Sequence, residues 1–433
     1  APLLRQLQQK TAGSPREGSS TPGMQLGLQQ DMPDVPPPWV DASDLLLQAE
    51  RLTLSPPPAA CIGGVRTLQE LVCAFLARHL HALALLDDLP EHLAATVRDS
   101  IRRDRSLLGD DGLGVWLDAV LETGDTRQLS LRWAQGLTDS GLGQLRSRAE
   151  WASTLVALDL GYCESISDEG VVLLCAQLRS LRTLSLCGCM RCGDGSAAAL
   201  GRHCPALTSL NLELLTKLTD IGVQAVVRGC GRLAELLLGG CHRLSNISTS
   251  LISDHLGGTL RRLGLGGLVS ICDVDLEDVG KCRGLEWLEL RALHRVSDAG
   301  VKQVGLLLGR QAKARRLWSA GGNGADGAGA TPPPPALTHL DLGGLTRISD
   351  EALLKLAARA PHLVSLDLRG CTRLTPSGLT TAVVARTIDG VSSSADLPMP
   401  CLRELTLTAC PAASAAALEI LREARPGLAL FTS

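Results

Sequence analysis

The chain has 433 residues, and its 42 basic and 45 acidic side chains leave a formal net charge of −3. This balance, without any long basic run, argues against strong direct binding of nucleic acid. No uninterrupted apolar stretch approaches the roughly 20 residues of a membrane-spanning helix, so no membrane partner is expected. Leucine accounts for 85 residues, whereas tyrosine occurs once and phenylalanine twice. Such an aliphatic composition favours stacked repeats, in which one residue type fills equivalent core positions.

The N-terminal part of the chain divides into two segments. Residues 1–41 are rich in Pro, Gln and Gly and are predicted to be disordered. Residues 42–125 are predicted to be helical, because apolar side chains recur at helical spacing between Leu68 and Leu80. The N-terminus has no secretory h-region, which favours an intracellular protein, nuclear or cytoplasmic, with free thiols. The helical region either caps the open end of a repeat array or docks a partner.

Residues 126–433 repeat the pattern Leu-x-x-Leu-x-Leu, whose first clear copy runs from Leu155 to Leu160. The last leucines of nine successive copies lie at positions 160, 186, 212, 238, 265, 290, 342, 368 and 407. Their commonest spacing, about 26 residues, lies within the range of leucine-rich repeats. The two widest intervals contain Gly/Pro-rich or Ser-rich stretches, which predict loop insertions near residues 317–335 and 387–399. About ten repeats are therefore expected.

The second half of each repeat predicts a helix. Ile166-Ser167-Asp168 shows the recurring step, and Ser or Thr followed by Asp is a helix N-cap signal. Gly170 follows two residues after the Asp, and an aliphatic run completes a helix of about ten residues. With a cysteine after the strand, as at Cys163, this pattern resembles the cysteine-containing leucine-rich-repeat class of F-box/LRR substrate receptors. The resemblance implies an α/β solenoid, a horseshoe with parallel strands on its concave face, helices on its convex face and an N-terminal helical cap.

Fifteen cysteines raise the question of a metal site, above all at Cys187, Cys189 and Cys192. The repeat gives a simpler explanation. Cys189 occupies the same repeat position as Cys163, where a small apolar thiol packs in the turn after the strand. A structural zinc site also needs four well-placed ligands. We therefore expect no metal. Because neither a phosphate-binding loop nor a nucleophile motif occurs, no cofactor and no catalytic residue are expected either.

The residues beside the strand leucines are predicted to line the concave face, because strand residues alternate between two faces. They are small and polar in the early repeats and larger in the later ones. The candidate partner-binding residues are Trp287, Glu289, Arg291, His339, Asp341, Asp367 and Arg369. Trp and Arg often dominate protein–protein contacts, so the expected partner is a protein substrate. The alternative is that this face is polar only because it is solvated.

The segments that precede the repeats resemble a more specific family. A helix beginning Thr67-Leu68-Gln69-Glu70, a Leu89-Pro90-Glu91 step, a basic Arg102-Arg103-Asp104-Arg105 segment and then the repeats occur in this order. The order resembles the Rad-seven-type repair proteins, the leucine-rich-repeat subunit of the yeast complex for global-genome nucleotide excision repair. That resemblance implies a nuclear protein that pairs with a Swi/Snf-type ATPase and with a ubiquitin ligase containing Elongin C and a cullin. It also implies an adaptor-binding helix made of Thr67, Leu68, Val72, Cys73 and Leu76.

Three alternatives remain open at this stage. The usual cysteine of the Elongin C box is Val72 here, with Cys73 one residue later, so the helix can equally serve only as a cap. A second possibility is an F-box that starts at Leu89-Pro90-Glu91, includes Trp116 and binds a Skp-type adaptor. In either ligase version the chain itself is not an enzyme, because its partners carry out ubiquitin transfer. The third alternative is a protein of another class, a free-standing binding scaffold or the regulatory subunit of an enzyme.

Overall fold

The computed structural model describes residues 127–320, 333–384 and 398–432, together with 108–110, 113, 114, 117 and two short strands at 387–388 and 391–392. Within these residues short strands and helices alternate along the chain. Eleven strands, all parallel, form a single sheet, and the remaining two form an antiparallel hairpin. Among the described residues no helix has both the length and the hydropathy needed to span a membrane.

The strands of the main sheet follow one another in chain order, each three residues long. They are β1 (Gln128–Ser130), β2 (Ala157–Asp159), β3 (Thr183–Ser185), β4 (Ser209–Asn211), β5 (Glu235–Leu237), β6 (Arg262–Gly264), β7 (Trp287–Glu289), β8 (His339–Asp341), β9 (Ser365–Asp367), β12 (Glu404–Thr406) and β13 (Ala429–Phe431). The hairpin strands are β10 (Thr387–Ile388) and β11 (Val391–Ser392).

The helices lie between the strands and vary in length. They are α1 (Asp139–Ser147), α2 (Ala149–Ala152), α3 (Asp168–Cys175), α4 (Asp194–His203), α5 (Asp220–Gly229), α6 (Asn246–Leu256), α7 (Asp275–Val279), α8 (Asp298–Ala320), α9 (Asp350–Ala357), α10 (Pro376–Val384) and α11 (Ala415–Ala424). Successive helices pack against one another on one side of the sheet, as α4 does against α5. This arrangement confirms the predicted leucine-rich-repeat solenoid.

Leucine forms the centre of every strand in the main sheet. Leu129 pairs with Leu158, and the same leucine-to-leucine register continues through each parallel pair to Leu405 and Leu430. Ten of these leucines are buried, whereas Leu430 at the last strand is partly exposed. A continuous leucine core thus runs the length of the sheet, which explains the abundance of leucine. The last strand, β13, extends the array beyond the repeats that the leucine pattern predicted.

In most repeats an Asp at, or two residues before, the start of the helix binds the start of the helix in the next repeat. In seven cases its carboxylate accepts hydrogen bonds from both the backbone N–H and the side-chain hydroxyl of the next N-cap residue, with N–O distances of 2.7 to 3.0 Å. The pairs are Asp110 with Thr138, Asp139 with Ser167, Asp194 with Thr219, Asp220 with Ser245, Asp273 with Ser297, Asp298 with Ser349 and Asp350 with Thr375. We call this set the aspartate ladder. The predicted N-caps are confirmed at Ser167 and Thr219, whose hydroxyls accept from the N–H of Glu169 and of Ile221. Ser349 is an N-cap residue without such a bond.

Two links depart from this pattern: Asp168 accepts from the N–H of Gly193, which has no hydroxyl, and the link at Asn246 is missing. Toward the N-terminus the ladder extends beyond the repeat leucines. Asn246 replaces Asp at the start of α6, and the next repeat instead satisfies its Cys272 N–H with Asp275 of its own short helix, 2.8 Å away. At the other end, Asp110 joins the ladder, and Gly109 forms a parallel bridge with Gly136. Gly109 and Asp110, which the sequence assigned to the helical N-terminal region, therefore stack on the first repeat.

Two predicted details differ in the structure. The sequence predicts helices of about ten residues, whereas α8 has 23 residues and continues to Ala320, inside the predicted 317–335 insertion. Arg310, Lys313, Arg315 and Arg316 are good helix formers and favour this extension of the helix. The second insertion, predicted as a polar loop, contains the hairpin of β10 and β11.

Candidate functional site

The seven predicted partner-binding residues lie together on the exposed face of the sheet. In each strand the middle leucine points into the core, so the first and third residues face the other way. Parallel pairing places Trp287 opposite His339, and Glu289 opposite Asp341, which is itself opposite Asp367. Because neighbouring strands lie about 4.8 Å apart, these side chains form one continuous surface. Arg291 and Arg369 lie directly beyond it, two residues after their strands.

Glu289, Asp341 and Asp367 form an acidic row across three strands. Arg291 Nε lies 2.5 Å from Glu289 Oε1, and Arg369 Nε donates to Asp367 Oδ2 over 2.8 Å, with a second contact from Arg369 Nη2. The two carboxylate residues are only 6% and 9% exposed, whereas the side chains of Arg291 and Arg369 are 53% and 52% exposed. A partner would therefore meet the two arginines first, and the carboxylates hold them in place.

The middle member of the acidic row differs from its neighbours. Glu289 and Asp367 are each followed two residues later by an arginine, whereas Asp341 is followed by Gly343. The Gly343 N–H donates to Asp341 Oδ1 over 2.8 Å. Burial raises the pKa of Asp341, and the charge of Asp367 raises it further. Burial also raises the pKa of Glu289, although Arg291 opposes the shift. Burial disfavours the ionised form of these carboxylates, so a cationic side chain from a partner would stabilise the acidic row.

Trp287 lies at the edge of this surface, close to charged side chains. The Arg262 guanidinium lies 5.0 Å from the centre of the Trp287 ring, a cation–π arrangement, and Arg262 Nη1 is 3.4 Å from Glu235 Oε1. His339 is exposed on the next strand, and its Nδ1 shares a 2.8 Å hydrogen bond with Thr338 Oγ1. An aromatic ring among fixed charges suits protein recognition.

A second aromatic feature, which the sequence analysis did not select, lies at the N-terminal end of the sheet. The rings of Trp133 and Tyr162 stack 3.9 Å apart and nearly parallel, and the Arg132 guanidinium lies 5.0 Å from the Tyr162 ring. Both residues have left-handed backbone, with φ of 70° and 60°, at the turn position that Gly188 occupies in the next repeat. This conformation costs a non-glycine residue about 1 to 2 kcal/mol. The sequence carries one signal that could have identified this pair: aromatic residues are scarce, and Trp133 and Tyr162 occupy the same repeat position.

The early part of the exposed face is a shallow polar groove of about 490 Å³. Its lining includes Ser130, Asp159, Ser185 and Asn211, the small polar residues expected from the alternation. The Ser185 hydroxyl is buried and has no hydrogen-bond partner among the described residues. This end of the face thus combines hydroxyl and amide groups with the charges of Arg132, Asp159 and Glu235.

The described cysteines are free thiols, and the repeat position explains their environment. Cys163 and Cys189 each donate to the carbonyl of a leucine in the preceding repeat, over 3.1 and 3.0 Å, and Cys192 donates to Ile166 O. Burial raises the pKa of Cys163 and of Cys241 to about 12, so these thiols stay protonated at neutral pH. Among the residues that the structure describes, no group of three or more His, Cys, Asp or Glu side chains is placed to hold a metal ion.

The predicted adaptor-binding residues, Thr67, Leu68, Val72, Cys73 and Leu76, lie outside the described residues. The same is true of the segment predicted to be disordered, residues 1–41. Their roles therefore stay predictions.

A family model described as Leucine Rich repeat matches residues 152–175 and 359–381, two of the repeats observed in the sheet. The chain folds as a leucine-rich-repeat solenoid. It is also similar to the F-box protein SKIP1 of Arabidopsis thaliana, with 29% identity over 136 residues. That match covers 27% of this leucine-rich-repeat chain and 44% of SKIP1, less than half of the relative's length.

Among solved structures, the protein is similar to a chain from the crystal structure of the yeast Rad7 and Elc1 complex. The identity is 18%, the TM-score is 0.42, and the alignment covers 84% of this chain and 92% of that chain. The superposition is too loose for residue roles to be carried from one chain to the other.

Proposed function

We propose that this leucine-rich-repeat protein is the non-catalytic substrate-binding subunit of a cullin-based ubiquitin ligase. The similarity to an F-box protein supports this function, because F-box proteins bring substrates to such ligases. The repeat solenoid, with an extended exposed face of parallel strands, is a fold suited to holding another protein. Ubiquitin transfer itself would be carried out by the partners.

The observation that carries the proposal is the surface formed by β7, β8 and β9. Trp287, His339, Arg291 and Arg369 would contact the substrate directly, since each side chain is at least partly exposed. Glu289 and Asp367 would act by fixing the two arginines. Asp341 would accept a lysine or arginine of the substrate, because its own repeat supplies no arginine at residue 343.

The adaptor would bind the N-terminal helical region. We propose Thr67, Leu68, Val72, Cys73 and Leu76 as its contacts if the adaptor is Elongin C. The similarity to SKIP1 favours a Skp-type adaptor bound through an F-box at Leu89-Pro90-Glu91. A role in nucleotide excision repair, with a Swi/Snf-type ATPase and a nuclear location, is the more specific version of the proposal. Ultraviolet sensitivity of cells that lack the protein would test that version.

The substrate-binding face can be tested with Trp287→Ala combined with Arg291→Ala. We expect affinity purification and mass spectrometry to show loss of captured substrate proteins, since each residue of a hot-spot pair contributes about 2 kcal/mol or more. The adaptor and cullin should remain bound, because they contact another region. Ile221→Ala combined with Arg228→Ala, an exposed pair on α5, is the matched control and should capture as much substrate as the unmodified protein. Unchanged capture by the Trp287 and Arg291 variant would contradict the assignment of this face.

A further inference from the structure

A second charged surface lies beside the C-terminal half of α8. This helix has 23 residues, whereas the other described helices have 4 to 11. The extra turns carry Arg310, Lys313, Arg315 and Arg316 and contain no acidic residue. The longest described helix thus adds four positive charges that the repeat itself does not require.

Two of these residues, Arg310 and Lys313, line a groove of about 540 Å³. Four basic side chains converge on it, and we call the site the basic groove: Arg261, Arg283, Arg310 and Lys313. Leu317 and Pro335 form part of its apolar wall, and the Leu317 side chain is 65% exposed. None of the lining residues is Asp or Glu.

Backbone contacts hold two of the four basic residues in place. Arg261 Nη1 donates to Gly284 O over 3.0 Å, and Arg310 Nη1 donates to Gly280 O over 3.3 Å. The only acidic partner described for either is Glu286, whose Oε1 lies 4.0 Å from Arg261 Nε. No ion pair or side-chain hydrogen bond of Arg283 or Lys313 occurs within the described part of the chain. The groove therefore presents positive charge that the described residues leave largely uncompensated.

The floor of the groove is fixed by a buried glutamine. Gln311 Nε2 donates to Leu285 O over 2.8 Å and to Arg283 O over 3.1 Å, and its Oε1 accepts from Leu337 N–H over 2.9 Å. These bonds fasten α8 to the strands on both sides. Burial and the charges of Arg315 and Arg316, both on α8, lower the pKa of His362, which agrees with a positive potential here.

We propose that the basic groove binds an acidic peptide segment of a partner protein, in which Asp or Glu residues flank an apolar side chain. Charge complementarity accounts for the acidic residues, and the wall of Leu317 and Pro335 accounts for the apolar one. Nucleic acid fits less well, because no aromatic side chain lines the groove for a base to stack on. This site is separate from the sheet face and does not depend on the proposed ligase function.

The test uses the full chain and a fluorescent peptide of repeating Glu-Glu-Leu triplets, with a Gln-Gln-Leu peptide as the charge control. Fluorescence anisotropy should show salt-sensitive binding of the acidic peptide only. Arg283→Glu combined with Lys313→Glu should weaken this binding about tenfold or more, because it reverses two charges in the groove. Neither side chain has a described partner, so the fold should be unaffected, which circular dichroism would verify.

Arg228→Glu, a charge reversal at an exposed position of α5, should leave binding of the acidic peptide unchanged. The proposal is overturned if the Arg283 and Lys313 variant binds the acidic peptide as well as the unmodified protein does. It is also overturned if both peptides bind equally, or if a DNA duplex binds more tightly through the same two residues.

Discussion

At the scale of single residues, the glycine that follows several helix-starting Asp residues by two positions has a steric cause. A Cβ at Gly170 would lie 2.2 Å from Asp139 Oδ1, and a Cβ at Gly222 would lie 2.5 Å from Asp194 Oδ1. The carboxylate of the preceding repeat therefore occupies the space that a side chain would need. The sequence shows the Asp-x-Gly pattern, but only the stacked structure shows that the two residues serve different repeats.

Gly170→Ala should lower the free energy of unfolding by about 1 to 3 kcal/mol, because Asp139 must move and leave the Ser167 N–H less well bonded. The control is Gly143→Ala in α1, where a Cβ meets no atom within 4 Å. That change should raise stability by about 0.5 to 1 kcal/mol, since alanine is the better helix former. Urea unfolding of the variants followed by circular dichroism measures both. Equal effects of the two substitutions would contradict the steric explanation.

The candidate site was predictable as a set of residues but not as a set of interactions. The alternation of strand residues was enough to place Trp287, Glu289 and His339 on one face. It could not predict that Arg262 would lie over the Trp287 ring, because that contact depends on the register between two repeats. It also missed Trp133, because that residue lies in a turn rather than in a strand.

At the scale of helices and turns, the aspartate ladder joins neighbouring repeats through their helix starts. Burial alone would raise the pKa of Asp220, but hydrogen bonds from Ser245 and Ser248 hold it below its usual value. Bonds from Ser196 and Gly193 do the same for Asp168. Since these folded-state pKa values are depressed, the stability they give is complete above the unfolded pKa of about 3.9. It is lost as the pH falls through the folded-state pKa.

Asp220→Asn should therefore reduce stability at neutral pH by about 1 kcal/mol, a modest value because solvent screens this partly exposed carboxylate. The loss should shrink as the pH falls, since the unmodified protein then protonates Asp220 as well. Thermal unfolding as a function of pH measures this. Glu169→Gln, an exposed helix-start residue on α3, is the control and should change little. A destabilisation by Asp220→Asn that stays constant down to strongly acidic pH would contradict the role of the carboxylate charge.

The elements that the sequence predicted best are those governed by the leucine register. Each three-residue segment predicted as a strand is a strand in the structure, because only this conformation buries its central leucine in the core. The extended α8, the hairpin of β10 and β11, and the last strand β13 differ from or add to the expectation. They lie where the repeat is interrupted or ends, so neighbouring repeats impose no fixed length there.

At the scale of the whole molecule, a single leucine core supports two chemically different surfaces. The exposed sheet face carries Trp287 with its ordered charges, and the basic groove beside α8 carries a separate positive surface. The core repeats itself, but these surfaces do not. Recognition therefore depends on the few positions that the repeat leaves free, which agrees with a protein that holds partners.

The central claim is that this protein delivers a substrate to a cullin-based ligase. Its most direct test is quantitative mass spectrometry of the full-length tagged protein purified from cells in which it naturally occurs. We predict that a cullin and one adaptor, either Elongin C or a Skp-type protein, are recovered in near-equal amounts with it. They should persist in the Trp287→Ala and Arg291→Ala variant. Recovery of the folded protein with neither an adaptor nor a cullin would contradict the claim.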